Sequence, residues 1–185
     1  HLSLRRQRQM CIRDRLWFIY EALERAVRTV ADTRIAGAVA DPRLERRDAL
    51  ELDLAEMYGP QWRDEVRILP ATARYVARLE SLDTPGSEPR VVAHHYVRYL
   101  GDISGGQVIA ARLGALYGID PDALNFYNFA AIGKIPPYRS AYRKALDELA
   151  LSDAQRAALI AEAQAAFACN SAVFAELAKL YPGAA

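Results

Sequence analysis

Arg98, Gly101, Asp102 and Gly105 stand at i, i+3, i+4 and i+7, a spacing that puts all four on one face of a helix. Such a face combines a guanidinium, a carboxylate and bare backbone. Gly106 follows directly, so three glycines fall within residues 101–106 with no proline nearby. An interior glycine costs a helix about 1 kcal/mol relative to alanine. A helix that accepts three of them needs its main chain exposed on one side. Close packing against another helix, a kink, or a flat ligand lying on the backbone would each require that. Asp102, beside such a ligand, could hold a water rather than the ligand itself. A tight helix crossing with a surface Asp–Arg pair explains the spacing equally well.

A second constellation lies downstream. Arg139 and Arg143 are one helical turn apart, with Tyr142 beside them. Two guanidiniums at that spacing suit a pair of carboxylates. A solvated basic face is the commoner meaning of such a pair. The histidines are His1, His94 and His95. Neighbours on a helix point about 100° apart, so His94 and His95 cannot both face one metal.

The elements that must position these groups are all helical. Leu16, Ile19, Tyr20, Leu23, Val27 and Val30 follow helical spacing, which predicts a helix over 15–40 that Asp41-Pro42 breaks. Asp48 is the expected cap of a helix to Tyr58, ended by Gly59-Pro60. A further helix is expected over 70–82, then the loop DTPGSEP. One long central helix over 90–117 carries the glycines, and Gly118 closes it. Asp120-Pro121 starts a short helix toward Tyr127, and 128–135 reads as irregular. Pro136-Pro137 suits a helix start. Ser152 and Asp153 open the last helix, which runs to Leu180. No stretch alternates like a strand. The fold class is all-α, a single-domain helical bundle.

Composition narrows the function classes. The 185 residues are 52% hydrophobic with a net charge of +1, which gives no pull toward nucleic acid or anionic membrane. No uninterrupted apolar run approaches the roughly 18 residues that span a bilayer. Cys11 and Cys169 form no CxxC pair, so a reducing, cytoplasmic setting is expected. Residues 1–15, HLSLRRQRQMCIRDR, are crowded with arginine and lack an apolar face. QMCIRDR also resembles translated sequencing-adapter sequence. This segment is expected to be disordered or artefactual, with the domain occupying 16–185.

The run HHYVRYLGDISGGQVI, residues 94–109, resembles the distal-helix motif of heme oxygenases, especially the bacterial biliverdin-producing branch. LWFIYEALERAV is similar to that family's second helix. FYNFAAIGK, YRSAYRKALDELALS and AFACNSAVFAEL resemble later segments in the same order. The resemblance extends over 16–181.

What it implies is a heme oxygenase-like bundle in which heme is both substrate and oxygen-activating cofactor. With O2 and electrons from a ferredoxin or an NAD(P)H-dependent reductase, heme is opened at its α-meso carbon to biliverdin, CO and ferrous iron. The resemblance places Gly101 and Gly105 against heme and its oxygen. It makes Asp102 the anchor of a proton-delivering water, with Arg98 and Tyr20 as network partners; on pattern alone Tyr20 is a core aromatic. It assigns Arg139, Arg143 and Tyr96 to the heme propionates and Ser104 to the heme surface. An ideal helical wheel, however, puts Tyr96 away from the face of Gly101 and Gly105. Phe167, Asn170 and Phe174 resemble the distal-pocket wall, although core packing would explain both phenylalanines. The family's iron-ligating histidine lies on a first helix upstream of the segment resembling Leu16. His94 resembles a family histidine that is not the ligand, so no metal ligand is assigned. A monomer is expected. The alternatives are an inactive fragment, a non-catalytic heme-binding or heme-sensing protein of the same fold, and a helical domain of the thiaminase-like kind.

Overall fold

The computed structural model describes the backbone of residues 2–120 and 123–180, and their side chains from residue 12 on except 116 and 117. Its helices are α1 (Leu2–Val30), α2 (Arg47–Tyr58), α3 (Trp62–Glu65), α4 (Pro70–Glu80), α5 (Glu88–His95), α6 (Gly101–Tyr117), α7 (Ile135–Asp147) and α8 (Asp153–Leu180). No strand occurs among the described residues.

α1 is the central strut. The apolar residues at helical spacing, from Leu16 to Val30, are all buried, and the helix packs against α2, α4 and α5. Two boundaries differ from the sequence reading. The helix ends at Val30, with turns through Ala31 to Val39. It begins at Leu2 rather than near Leu16, so the expected disorder of the first fifteen residues is not what is found. Arg13, Asp14 and Arg15 are buried, which is tolerated because they are paired. Arg13 meets Asp53 at 3.3 Å, and Arg15 is bonded to Asp14. Such pairing offsets desolvation only in part.

α2 starts at Arg47, and Asp48 sits inside its first turn rather than capping it. The cap comes from a distance: Glu24 on α1 accepts the Arg46 and Arg47 amides at 2.5 and 3.1 Å. Asp53 on the same helix is buried and accepts the Asn125 and Phe126 amides at 2.7 and 3.1 Å. This fixes the 3-10 turn Asn125–Tyr127 against α2. The start expected at Pro121 lies outside the described residues. The irregular stretch after it contains another 3-10 turn, Ala130–Ile132.

α5 and α6 form the expected long helix, joined by one π-helical turn, Tyr96–Leu100. Gly118 ends it with φ +58°, a left-handed geometry open to glycine. Ser152 and Gln155 bond reciprocally across the start of α8, a hydroxyl–amide capping box.

α8 is long enough and apolar enough to cross a bilayer, with mean hydropathy 1.3 over its most apolar window, 17% of which is buried. A search for uninterrupted apolar runs misses it, because alanines raise the mean around scattered polar residues. α8 packs on α4 and α5, and two of its polar side chains, Glu162 and Asn170, bind into the bundle.

Candidate active site

The residues predicted from spacing converge where α1, the π turn, α6 and α8 meet. Tyr20 is fully buried, packed edge-on against Tyr99 and Phe126 with ring centroids 5.4 and 5.6 Å away. It is a core aromatic with a polar tip: its hydroxyl donates to Asp102. Arg98 Nε donates to the same hydroxyl at 3.3 Å, and its guanidinium lies 5.1 Å from the Tyr20 ring centroid. Arg98 also reaches Asp102 at 3.8 Å and donates to Asn170 Oδ1 on α8 at 2.8 Å. One network therefore joins Tyr20, Arg98, Asp102 and Asn170. Burial excludes the surface Asp–Arg pair that spacing alone allowed.

Burial pushes the Asp102 carboxyl well above the usual carboxylate range, so it keeps a proton to higher pH than an exposed aspartate. The Arg98 guanidinium is shifted down by burial yet remains a cation. A carboxyl whose affinity for a proton is raised by burial thus sits beside a fixed positive charge and a tyrosine hydroxyl.

The glycines next to this network do two different jobs. A Cβ built on Gly101 or Gly105 meets nothing within 4 Å, so their backbone borders open space. A Cβ on Gly106 would lie 3.2 Å from Tyr127 Cδ1, so Gly106 permits packing against the 3-10 turn. A cavity of about 750 Å³ opens by that turn, between Gln107, Ala110 and Gly114 on α6 and Tyr127, Phe129 and Ile135. Neither Gly101 nor Gly105 lines it.

α7 runs antiparallel beside the long helix. Arg139 donates to Ser104 Oγ at 3.4 Å. One turn on, Arg143 lines a cavity of about 400 Å³ with Tyr96 and Arg156. Arg139, Arg143 and Tyr96, assigned to the propionates, and Ser104, assigned to the heme surface, thus fall along one seam. Tyr96 opens the π turn and lies beside Arg143, in a cavity lined by neither Gly101 nor Gly105. On α8, Asn170 turns inward to Arg98, while Phe167 and Phe174 stay 57% and 49% exposed. Core packing therefore does not account for the two phenylalanines.

Both described histidines are engaged inside the bundle. His94 Nε2 meets Glu162 at 2.8 Å and Nδ1 meets the Tyr75 hydroxyl at 3.3 Å. Burial alone would raise Glu162, but hydrogen bonds from His94 and Arg78 outweigh it and hold the carboxylate at about 2. His95 Nδ1 meets the Tyr142 hydroxyl at 2.7 Å, and burial lowers its imidazole to about 3. Among the described residues no group of three His, Cys, Asp or Glu side chains could hold a metal ion. His1 lies outside the described residues.

Sequence reasoning missed Tyr75, Glu162, Glu24 and the His95–Tyr142 pair. Their partners are 19 to 75 residues away, and no local pattern announces them.

Known proteins resemble this chain over most of its length. Residues 5–176 match the family described as heme oxygenase. Heme oxygenase 1 of Nostoc sp. is 35% identical over 163 residues, covering 87% of this chain and 68% of the relative. Human heme oxygenase 1 is 37% identical over 169 residues, covering 89% and 58%. The crystal structure of heme oxygenase-1 from Synechocystis sp. in complex with heme superimposes with a TM-score of 0.87 at 34% identity, covering 93% of this chain and 77% of that one. Heme oxygenase-2 of the same organism, in complex with heme and NO, gives 0.88 at 32% identity, covering 97% and 75%. The chain spans about two thirds of the length of the Nostoc relative and less of the human one. With the match running through α1 to α8 and including the Tyr20–Arg98–Asp102 network, the chain belongs to the heme oxygenase family.

Proposed function

We propose that this protein is a heme oxygenase, which opens heme oxidatively to biliverdin, CO and ferrous iron. The observation that carries the reading is a buried acid–tyrosine–arginine network beside a helix face whose backbone is bare at Gly101 and Gly105. The residues present fit a flat dicarboxylate ligand. The open backbone admits a planar ring without steric conflict. Arg139 and Arg143 offer charge-assisted bonds to two carboxylates at one edge. Phe167 and Phe174 offer apolar surface beside Asn170.

When bound, heme supplies the iron at which oxygen is activated, and it is itself the substrate. The protein's part is orientation and proton supply. Gly101 and Gly105, with open space beside their backbone, would allow close approach of the ring. Asp102 holds a proton at its carboxyl, polarised by the Tyr20 hydroxyl and the Arg98 cation. A single carboxyl acting through water delivers protons sparingly, which suits a reaction that must oxidise the ring edge. O2 and an electron donor, a ferredoxin or an NAD(P)H-dependent reductase, complete the reaction, and the setting is the reducing cytoplasm.

Incubation with hemin, a reductase and NADPH should give biliverdin and CO, and Asp102→Ala should cut the biliverdin yield at least about tenfold. Unchanged yield from the Asp102→Ala protein would remove Asp102 from proton delivery. Hemin binding with no biliverdin under any electron donor would favour the second reading, a non-catalytic heme-binding protein. That reading has one observation behind it, the engagement of both described histidines by Glu162, Tyr75 and Tyr142.

A further inference from the structure

α7 carries two interleaved pairs at i and i+4: Tyr138 with Tyr142, and Arg139 with Arg143. Each arginine follows its tyrosine by one residue, or about 100° of helix rotation. The tyrosine pair points at fixed partners. The Tyr138 hydroxyl donates to Asp41 Oδ2 at 2.7 Å. Asp41 is itself held, accepting the Arg43 amide at 3.0 Å and its guanidinium at 2.7 Å. The Tyr142 hydroxyl meets His95 Nδ1 at 2.7 Å, with the two rings near-parallel at 5.7 Å. Both members of that second pair are buried. The partners come from different elements, the loop before α2 and the end of α5 just ahead of the π turn. Two hydroxyls bonded one turn apart leave a helix little freedom to roll about its axis.

Burial and the adjacent Asp41 raise Tyr138, and burial raises Tyr142, so both remain hydroxyl donors. His95, kept neutral by burial, accepts at Nδ1. Neither bond involves a group that must change charge near neutrality. Neither of these two bonds engages a residue of the Tyr20–Arg98–Asp102 network.

We propose that Tyr138 and Tyr142 are positioning residues: anchored to Asp41 and His95, they set the rotation of α7 and so aim Arg139 and Arg143 at the paired carboxylates of the ligand. The assignment rests on the reading of that ligand as heme. It accounts for Arg139 lying at Ser104 and the exposed Arg143 lying beside Tyr96, on one seam.

The test separates aiming from general support. Hemin and hemin dimethyl ester, which lacks the two charged carboxylates, are titrated into the full chain and into the Tyr138→Phe/Tyr142→Phe variant. The variant should lose about tenfold in hemin affinity, in the range of one misplaced charge-assisted contact, and less than twofold for the ester. The same two substitutions in an Arg139→Ala/Arg143→Ala background should cost nothing further, because the groups they aim are gone. Equal loss for hemin and ester, or an undiminished loss in the arginine-free background, overturns the proposal. So does unchanged hemin affinity. Should the double variant not fold, single Tyr138→Phe, at the half-buried anchor, carries the same comparison. If the unsubstituted protein binds no hemin, the heme reading falls and this assignment with it; if it binds hemin normally and the discrimination fails, only the tyrosines are at fault.

Discussion

The long helix is two structures on either side of Gly101. Before it, α5 and the π turn are built into the bundle. His94 ties to α4 and α8, His95 to α7, Arg98 to α1 and α8, and Tyr99 to Glu24 on α1. After it, α6 leaves Val108 and Ile109 exposed, and Gly101 and Gly105 face open space. The difference teaches a division of labour. Arg98, the charge of the network, sits where α1, α8 and the π turn fix it; Asp102 stands just past the junction, reached from the fixed half by Tyr20 and Arg98, and beside it the backbone is bare at Gly101 and Gly105. The π turn stands at the junction, as such turns often do at functional sites.

The sharpest way to break this contrast is to put a side chain on the open half. Gly105→Leu should fold with its melting temperature unchanged or slightly raised, because its Cβ meets nothing and leucine is the better helix former. Hemin affinity should fall at least about 100-fold, or about 2.7 kcal/mol, from steric exclusion. Spectral titration beside a thermal melt checks both. A matching loss of stability would show the face to be a packing surface.

On the built-in half the expected effect is the reverse, stability without direct ligand contact. Glu162→Gln weakens bonds to both His94 and Arg78, and should cost about 2 kcal/mol by chemical denaturation. Because the fold holds Glu162 at about 2, below its unfolded value, its contribution is complete above the usual carboxylate range. It is lost as pH falls through 2. The difference between the two proteins should therefore narrow under acid and be constant near neutrality. A difference that persists unchanged at pH 2 would assign the loss to packing.

Glu24 behaves in the opposite sense. Burial raises its carboxyl to about 7 despite the Arg46 and Arg47 amides. Its folded pKa exceeds its unfolded one, so stability falls as pH rises between about 4.5 and 7. Its Oε2 lacks a hydrogen-bond partner, which leaves room for an amide nitrogen. Glu24→Gln should be equal to the parent at pH 4 and about 1 kcal/mol more stable at pH 8. Denaturation midpoints across that range test it. A residual slope is expected from Asp14, which burial raises to about 6.

How much of this could be read from the chain depended on the range of each interaction. The apolar face of α1, the extents of α4 and α8, the Gly118 stop and the Ser152 cap are local, and spacing and turn residues located them. Arg98 and Asp102, four apart, were legible as a pair, and Arg139 with Arg143 likewise. Tyr20 was placed at the site only by resemblance, because 82 residues separate it from Asp102 and it reads as core. The π turn has no signature in YVRYL. Glu24 as the cap of α2, and Asp53 as the cradle of Asn125–Tyr127, are long-range carboxylate–amide contacts that no periodicity encodes. The start of α1 was misread because its arginines contradict an apolar pattern, and only the partner Asp53 makes Arg13 tolerable there.

Gly105 and Gly106 condense the contrast into neighbouring residues. Alanine at either gains helix propensity worth up to about 1 kcal/mol. At Gly105 nothing opposes the new methyl, so Gly105→Ala should raise stability by about 0.5–1 kcal/mol. At Gly106 the methyl meets Tyr127 at 3.2 Å. That ring cannot retreat freely, for it packs edge-on against Phe126 at 4.9 Å, and Gln107 holds its carbonyl at 2.7 Å. The steric cost should cancel the propensity gain, leaving Gly106→Ala within about 0.5 kcal/mol of the parent. The two also separate in function: Gly105→Ala should weaken hemin binding although it stabilises the fold, while Gly106→Ala should leave it unchanged. If both alanines stabilise alike and neither affects hemin, the glycines of α6 are interchangeable, and the division between its packed and open faces is lost.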